Sequence, residues 1–130
     1  MQAVKKNKIL MFFLGGSVYL IHRHYEYKYG IHANTNIEIG ERLLIKHGDG
    51  VYINCTKIGR NFTVYQGVTL GADKTGIPMV EDDVTVYTNA VVVGNVILHS
   101  GSVIGANAFV NKNVEEHSIV VGVPARKIIK

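Results

Sequence analysis

Aliphatic residues recur along this chain at a strict interval of six. A period of six fits neither the 3.6-residue period of an α-helix nor the two-residue period of a strand. Self-similarity at a short fixed period is typical of stacked repeats. We therefore predict a coil with three flat faces, in which eighteen residues make one triangular turn. The repeating residues are Val80, Val86, Val92, Leu98, Ile104 and Val110, preceded by Ile58, Val64 and Leu70.

The residues that follow each aliphatic predict a corner. The third residue after it is Asn, Gly or Asp in eight hexads, and these types tolerate the positive φ of a sharp turn. The fourth residue is small or apolar and is predicted to point inward. The predicted corners are Asn61, Gly67, Asp83, Asn89, Asn95, Gly101, Asn107 and Asn113, and the second inward residues are Phe62, Val68, Val84, Ala90, Val96, Ser102, Ala108 and Val114.

The interval is less regular in two places. Upstream, Ala33, Ile39, Ile45 and Val51 are assigned to the same repeat, with corners at Asn36, Arg42 and Gly48. The step from Val51 to Ile58 is seven residues, and the step from Leu70 to Val80 is ten. The longer step predicts an outward loop around residues 73–76. Because insertions in solenoids often lie on the binding face, we expect this loop to form one wall of a site.

Length and composition predict one main domain. The chain has 130 residues, which we divide into an N-terminal helical segment, 1–30, and a β-helix domain with a C-terminal tail, 31–130. Cys55 is the only cysteine, so no intrachain disulfide can form, and we expect a small buried side chain there. The net charge of +4 is not arranged as a basic stripe with interleaved aromatic residues. Nucleic acid is therefore not an expected partner.

An apolar run of thirteen residues occupies positions 9–21. About 20 apolar residues are needed to span a bilayer, so the run is too short to cross one. We expect a helix that packs on the coil or on a neighbouring subunit. The alternative is a helix lying on a membrane surface. The predicted location is the cytoplasm, with peripheral contact at the inner face of the membrane as the alternative.

His47 is the candidate catalytic residue among six histidines. It lies in the segment KHGDG at 46–50, where two glycines allow unusual backbone conformations. The six-residue interval becomes irregular directly after this segment. The other histidines, His32 apart, are expected to be surface or packing residues. A catalytic zinc site needs three protein ligands. Only His32 and His47 are expected to approach each other, so no metal site is predicted.

Three segments together resemble the hexapeptide-repeat acyltransferases. They are KHGDG at 46–50, VYQGVTLG at 64–71 and GVPAR at 122–126, in the order and spacing of that family. The resemblance covers about residues 25–130 and is closest to the branch of serine acetyltransferases and their polysaccharide-modifying relatives. It implies an all-β, left-handed parallel β-helix with a short N-terminal helix. It also implies a homotrimer with acetyl-CoA bound between adjacent coils, and no metal.

The resemblance also assigns roles to residues. His47 matches the catalytic histidine, which acts as general base on an acceptor hydroxyl; an ordinary imidazole titrates near about 6.5 and suits this task. His32 matches the acidic residue that orients it. An oxyanion would be bound by a backbone N–H around residues 71–72. Transfer is direct, with no acyl-enzyme on Cys55. The positions matching the acetyl-CoA site are Gly71, Ala72, Thr88, Asn89, Ala106, Pro124 and Arg126.

Three departures from the serine acetyltransferase pattern bear on the acceptor. Lys46 replaces the aspartate that helps hold the serine amino group, Ile77 replaces a second histidine, and His32 replaces the orienting carboxylate. These changes argue against L-serine, and the pattern more closely resembles the enzymes that O-acetylate sugars of capsules and other surface glycans. The resemblance therefore implies an acetyl-CoA-dependent O-acetyltransferase acting on a sugar hydroxyl, in bacterial capsule or surface-polysaccharide biosynthesis. The alternatives are a serine O-acetyltransferase of cysteine biosynthesis and a non-catalytic β-helix scaffold.

Overall fold

The chain forms two compact units that divide between Gly30 and Ile31. The structure is a computed structural model that describes the backbone of residues 2–128 and the side chains of residues 14–128. The first unit is one helix, α1 (Gln2–Tyr29). It ends at Gly30, which has a φ of 64°. The Gly30 N–H donates to the Glu26 carbonyl at 2.9 Å, an arrangement typical of a helix C-terminus.

The apolar run at 9–21 lies within α1, although the side chains of residues 9–13 lie outside the described part. Within that part, no helix is both long enough and apolar enough to cross a bilayer.

The second unit is a left-handed parallel β-helix of about 5 turns, which confirms the predicted fold. Sheet A has the order β1-β4-β7-β10-β13, sheet B β11-β8-β5-β2, and sheet C β15-β14-β12-β9-β6-β3. Successive strands of one sheet are one turn apart, and only β15 runs antiparallel. The strands are β1 (Ile31–Ala33), β2 (Glu38–Ile39), β3 (Leu44–Lys46), β4 (Val51–Ile53), β5 (Lys57–Ile58), β6 (Thr63–Tyr65), β7 (Thr69–Gly71), β8 (Met79–Val80), β9 (Thr85–Val86), β10 (Val91–Val93), β11 (Ile97–Leu98), β12 (Val103–Ile104), β13 (Phe109–Val110), β14 (Ile119–Val121) and β15 (Arg126–Lys127).

The core is a column of stacked aliphatic side chains inside the prism. Val86 pairs with Val64 on one side and with Ile104 on the other, so equivalent residues lie directly over one another. Parallel strands are about 4.8 Å apart, which places stiff β-branched side chains in continuous contact. All eight predicted second inward residues are buried, from Phe62 at 0% exposure to Val114 at 3%.

The assignment of Val51 to the main repeat was wrong. Ile53, not Val51, pairs with Leu70 and with Ala33. The step from Ile45 to Ile53 is therefore eight residues, because the corner between them holds two residues more than the corner between Val64 and Leu70. Val51 instead fills the second inward position, and the irregularity lies at residues 47–50.

Two of the three corners use a left-handed residue, as predicted. Positive φ occurs at Asn61, Gly67, Asp83, Asn89, Gly101 and Asn107, and at Arg42. The prediction was wrong for Asn95 and Asn113, which lie at the third corner. That corner is closed differently: the Asn113 Oδ1 accepts the Ile97 N–H at 3.0 Å, and Gly94 takes the positive φ of 91°. Upstream, Gly50 rather than Gly48 takes the corner conformation, and Asn36 does not take it.

Gly59 tests how closely the turns stack. A Cβ built at Gly59 would lie 2.5 Å from the Glu81 carbonyl carbon and 2.7 Å from the Asp82 N, both backbone atoms. Gly59→Ala should therefore lower the free energy of unfolding by about 1–3 kcal/mol, as overpacking does. Urea unfolding followed by circular dichroism measures it. Gly71→Ala is the matched control, because its nearest contact would be an ordinary 3.6 Å. Equal unfolding midpoints for the two variants would contradict the close stacking.

Candidate active site

The corner between sheets C and A carries most of the predicted site residues, and we call it the histidine corner. It consists of residues 47–50, 66–67, 88–89, 106–107 and 122–124, one segment from each successive turn. Backbone hydrogen bonds join the segments into a column. They run from Gly67 N to Asp49 O at 2.9 Å, from Asn89 N to Gln66 O at 3.0 Å, and from Asn107 N to Thr88 O at 2.9 Å.

His47 stands out in this corner because it begins the inserted turn. It has a φ of 57°, and its side chain is exposed. Positive φ is itself ordinary at this corner, where Gly67, Asn89 and Asn107 also have it. His47 is therefore set apart by its place on the inserted turn and by its exposed side chain. The next residue packs closely on β1, since a Cβ at Gly48 would lie 2.6 Å from the Ile31 Cδ1 and would require that side chain to shift. The inserted turn is thus held against β1 while His47 projects into solvent.

His32 lies on β1, next to the residue that Gly48 packs against. Its side chain is exposed on the outer face of sheet A, and its ring centroid is 6.4 Å from that of Tyr52. The structure therefore places β1 beside the histidine corner, and the pairing of His32 with His47 stays a prediction.

The seven residues predicted to bind acetyl-CoA fall into two groups. Thr88, Asn89 and Ala106 lie in the histidine corner above His47. Pro124 follows in the tail, whose Gly122 carbonyl accepts the Phe109 N–H at 3.0 Å.

The second group lies elsewhere. Gly71 is buried at the far end of β7, and the exposed Ala72 follows it at the corner between sheets A and B. Arg126 is exposed on β15, and its Nη1 donates only to the neighbouring Ala125 carbonyl, at 3.1 Å, among the contacts seen here. Within one chain, Gly71 and Ala72 are separated from His47 by the width of sheet A.

Gln66 occupies the histidine corner between the levels of His47 and Thr88. Its Oε1 is buried and has no hydrogen-bond partner among the described residues. An unpaired buried acceptor costs about 1–3 kcal/mol, so a water or a bound molecule that donates an N–H or O–H is favoured at this oxygen.

A row of three side chains beside His47 was missed by the sequence analysis. Lys46 pairs with Tyr65 across β3 and β6, and Tyr87, the residue after β9, lies above Tyr65 in the next turn. The Lys46 Nζ lies 5.4 Å from the Tyr65 ring centroid and 3.4 Å from its hydroxyl. The Tyr65 and Tyr87 rings are stacked, with centroids 4.8 Å apart. The signal was present in the sequence, since each of these residues directly follows an inward aliphatic of sheet C.

The three faces differ in charge. Sheet B and its corners carry ion pairs, whereas the outward rows of sheets A and C carry almost none. The described pairs at sheet B are Lys57–Glu38 at 3.0 Å, Arg60–Asp82 at 2.8 Å and His99–Glu81 at 3.1 Å. One outward row of sheet A is His32, Tyr52, Thr69, Val91 and Phe109, and one of sheet C is Leu44, Thr63, Thr85, Val103 and Ile119. The second outward row of sheet C, at the histidine corner, begins with the charged Lys46. The histidine corner is therefore flanked by two faces of low charge.

The predicted loop projects from the corner between sheets A and B. Asp73 and Gly76 form a small antiparallel bridge. The Asp73 Oδ1 accepts the Thr75 N–H at 2.6 Å as well as the Thr75 hydroxyl, and these bonds hold the pKa of the Asp73 carboxyl below its ordinary value. The loop is thus ordered, and it leaves from the opposite end of sheet A to His47.

Cys55 is buried at 4% exposure, as predicted. Burial raises the pKa of its thiol from 9.0 to about 12, because the charged thiolate is poorly solvated inside the prism. A protonated, enclosed thiol cannot attack a thioester. Among residues 14–128, no three His, Cys, Asp or Glu side chains are grouped closely enough to hold a metal ion.

A triangular parallel coil of six-residue repeats defines the class of hexapeptide-repeat proteins. Residues 78–112 match the family described as bacterial transferase hexapeptide (six repeats). The chain therefore has a match to the hexapeptide-repeat transferase family, and its similarity to serine acetyltransferases is consistent with the serine acetyltransferase-like branch of that family.

Similar proteins in both sequence and structure are serine acetyltransferases. The one from Bacillus licheniformis is 40% identical over 126 residues, covering 92% of this chain and 56% of the relative. The one from Bacillus subtilis is 42% identical over 108 residues, covering 78% of this chain and 49% of the relative. The chain spans about half the length of the curated relatives it matches.

Two solved structures show the same fold. A serine acetyltransferase in complex with CoA superposes with a TM-score of 0.79 at 25% identity, covering 87% of this chain and 48% of that one. The serine acetyltransferase from Brucella abortus gives a TM-score of 0.81 at 26% identity, with 91% and 51% covered.

The buried state of Cys55 can be checked by alkylation. We expect iodoacetamide at pH 8 to leave the folded protein unmodified and to modify Cys55 rapidly in urea, because only an accessible thiolate reacts. Intact mass spectrometry measures both. Since the folded pKa is raised, stability should also fall as pH rises above 9.0, where the unfolded chain loses the proton first. Rapid modification of the native protein would contradict the burial.

Proposed function

We propose that this protein is an acetyl-CoA-dependent O-acetyltransferase in which His47 is the general base. The observation that carries the proposal is the exposed, left-handed His47 on an inserted turn of the corner that also holds Thr88, Asn89 and Ala106. One relative of the same fold was solved in complex with CoA. The matched segments therefore support acetyl-CoA as the acyl donor.

The proposed reaction is a single direct transfer. The His47 imidazole takes the proton of the acceptor hydroxyl as its oxygen bonds to the thioester carbonyl carbon. The resulting oxyanion is held by a backbone N–H, which we place near residues 71–72. The C–S bond then breaks, and the CoA thiolate takes the proton from the His47 imidazolium. His32 orients the ring by accepting its other N–H.

We propose a homotrimer as the active form. Gly71 and Ala72 are at the opposite end of sheet A from His47, so one chain alone does not bring them together. A neighbouring copy packed along the histidine corner would supply them, with the 73–76 loop as the outer wall. The low charge of the outward rows that begin with His32 on sheet A and Leu44 on sheet C supports this packing, because charged residues are depleted in interface cores. In this arrangement the row that begins with Lys46 lies outside the interface.

Two acceptors are supported by different observations. The named relatives are serine acetyltransferases, which favours L-serine. The residues Lys46 and Ile77, in place of an aspartate and a histidine, favour a hydroxyl acceptor without an ammonium group beside it. We retain the sugar hydroxyl of a surface polysaccharide as the second candidate because Lys46 lies directly beside His47.

His47→Ala tests the base. We expect the rate of CoA release to fall by about 10²–10⁴, the usual contribution of a positioned general base. Binding of CoA, measured by calorimetry, should be unchanged, since the imidazole acts on the acceptor. The exposed His24, on α1, provides the matched control in His24→Ala. Equal rates for His47→Ala and the parent protein would remove the proposed role. If the parent protein binds CoA but releases no CoA from acetyl-CoA with any acceptor, the result would favour a non-catalytic scaffold.

A double variant tests the acceptor. Lys46→Asp combined with Ile77→His restores the serine acetyltransferase residues at both positions. If the departures exclude L-serine, the variant should raise kcat/KM for L-serine by at least about tenfold, since one ion pair with the amino group contributes about 1.5–3 kcal/mol. Initial rates of CoA release measure it. Efficient turnover of L-serine by the parent protein would establish the serine acetyltransferase activity instead.

A further inference from the structure

We propose that Lys46, Tyr65 and Tyr87 form a binding subsite for an acceptor sugar that carries a negative charge. This inference rests on the proposed acetyltransferase and names its acceptor class as an anionic pyranose. It is carried by the contacts of these three residues, which lie along the outer edge of sheet C next to the histidine corner.

The row of Lys46, Tyr65 and Tyr87 lies beside the proposed base. Lys46 directly precedes His47, and register places Tyr65 and Tyr87 above it in the next two turns. A molecule lying on this row therefore presents its atoms within reach of the residue proposed to remove the hydroxyl proton. No other outward row of sheet C borders His47 in this way.

The Lys46 ammonium gives the row a positive charge. Lys57, Arg60 and Lys127 are all paired with carboxylates at 3.0 Å or less. Lys46 has no such ion pair among residues 14–128; its ammonium instead lies over the Tyr65 ring and near its hydroxyl. A cation held on an aromatic face keeps its charge available, because the ring satisfies it only weakly. The subsite thus selects a carboxylate or phosphate and repels an ammonium.

The two tyrosines give the row a shape that suits a sugar ring. The stacked Tyr65 and Tyr87 rings form an aromatic surface, and Tyr87 is 39% exposed. The next residue in the row is Gly105, so no side chain from that turn covers Tyr87. The C–H bonds of a pyranose can pack on such a ring while the sugar hydroxyls stay hydrated, since tyrosine offers an apolar face with a polar tip. An amino acid as small as serine has no comparable ring to place there.

The anionic group could belong to a uronic acid or to the phosphates of a sugar nucleotide. Both chemistries suit Lys46, and the experiment separates them. The probes are methyl glucuronide, UDP-glucose, neutral methyl glucoside and L-serine. Binding to the full chain is measured by saturation-transfer NMR titration, and turnover is measured separately as CoA release.

We expect either anionic sugar to bind the parent protein at least about tenfold more tightly than methyl glucoside, as one charge-assisted contact provides. Lys46→Met should abolish that preference and leave methyl glucoside binding within about twofold. Tyr87→Ala should weaken all three sugars. Tyr65→Phe keeps the ring and should keep sugar stacking, while removing the hydroxyl near the lysine. Lys57→Met, at an exposed position on sheet B, and Tyr27→Ala, at an exposed position on α1, are the matched controls.

The two proposals can fail separately. Equal binding of charged and neutral sugars, or an unchanged preference in Lys46→Met, would overturn the subsite even if acetyl-CoA is turned over. Turnover of L-serine with no sugar bound would overturn it as well. Charge-selective sugar binding that Lys46→Met abolishes, with no CoA released for any acceptor, would support the subsite and overturn the enzyme. Thermal unfolding of each variant confirms that it is folded.

Discussion

In-register stacking of equivalent side chains is the constraint on which this fold depends. Each strand is only two or three residues long, and no single turn could enclose a core. Because a turn pairs in parallel with the next, Val64, Val86 and Ile104 lie in one column and exclude water together. Stability therefore comes from contacts between neighbouring turns, as in other solenoids. The same requirement fixes the backbone at Gly59, where two turns come closer than a side chain allows.

This constraint limits where chemistry can be placed. Inward positions are committed to the core, so variation is confined to outward rows and corners. Two corners of the chain are longer than their equivalents in neighbouring turns. They are residues 47–50 and the loop at residues 72–78. One raises His47 on a left-handed backbone, and the other carries the ordered Asp73–Thr75 contacts. The proposed site combines the two across neighbouring copies, since sheet A separates them within one chain.

The hexads predicted the architecture because a single period of six determines both the inward column and most corners. The hexads gave wrong assignments where the spacing along the sequence does not show which residues are equivalent in neighbouring turns. Val51 keeps the interval from Ile45 by coincidence, and only pairing shows that Ile53 is the true equivalent of Leu70. Asn95 and Asn113 share the composition of the other corners, yet their corner is closed by side-chain hydrogen bonds. Composition cannot distinguish these two ways of turning. The row of Lys46, Tyr65 and Tyr87 required the register between turns, which depends on where insertions fall.

The inserted turn at 47–50 has a consequence for how such a protein can diversify. It replaces a plain two-residue corner without disturbing the column beneath it, since Gly67 still donates to the Asp49 carbonyl and Val51 still fills the interior. Residues 47–50 can therefore vary without a change in the stacked core beneath them. Substitutions within this segment can change what the corner presents to solvent, while the contacts between neighbouring turns that stabilise the fold are retained.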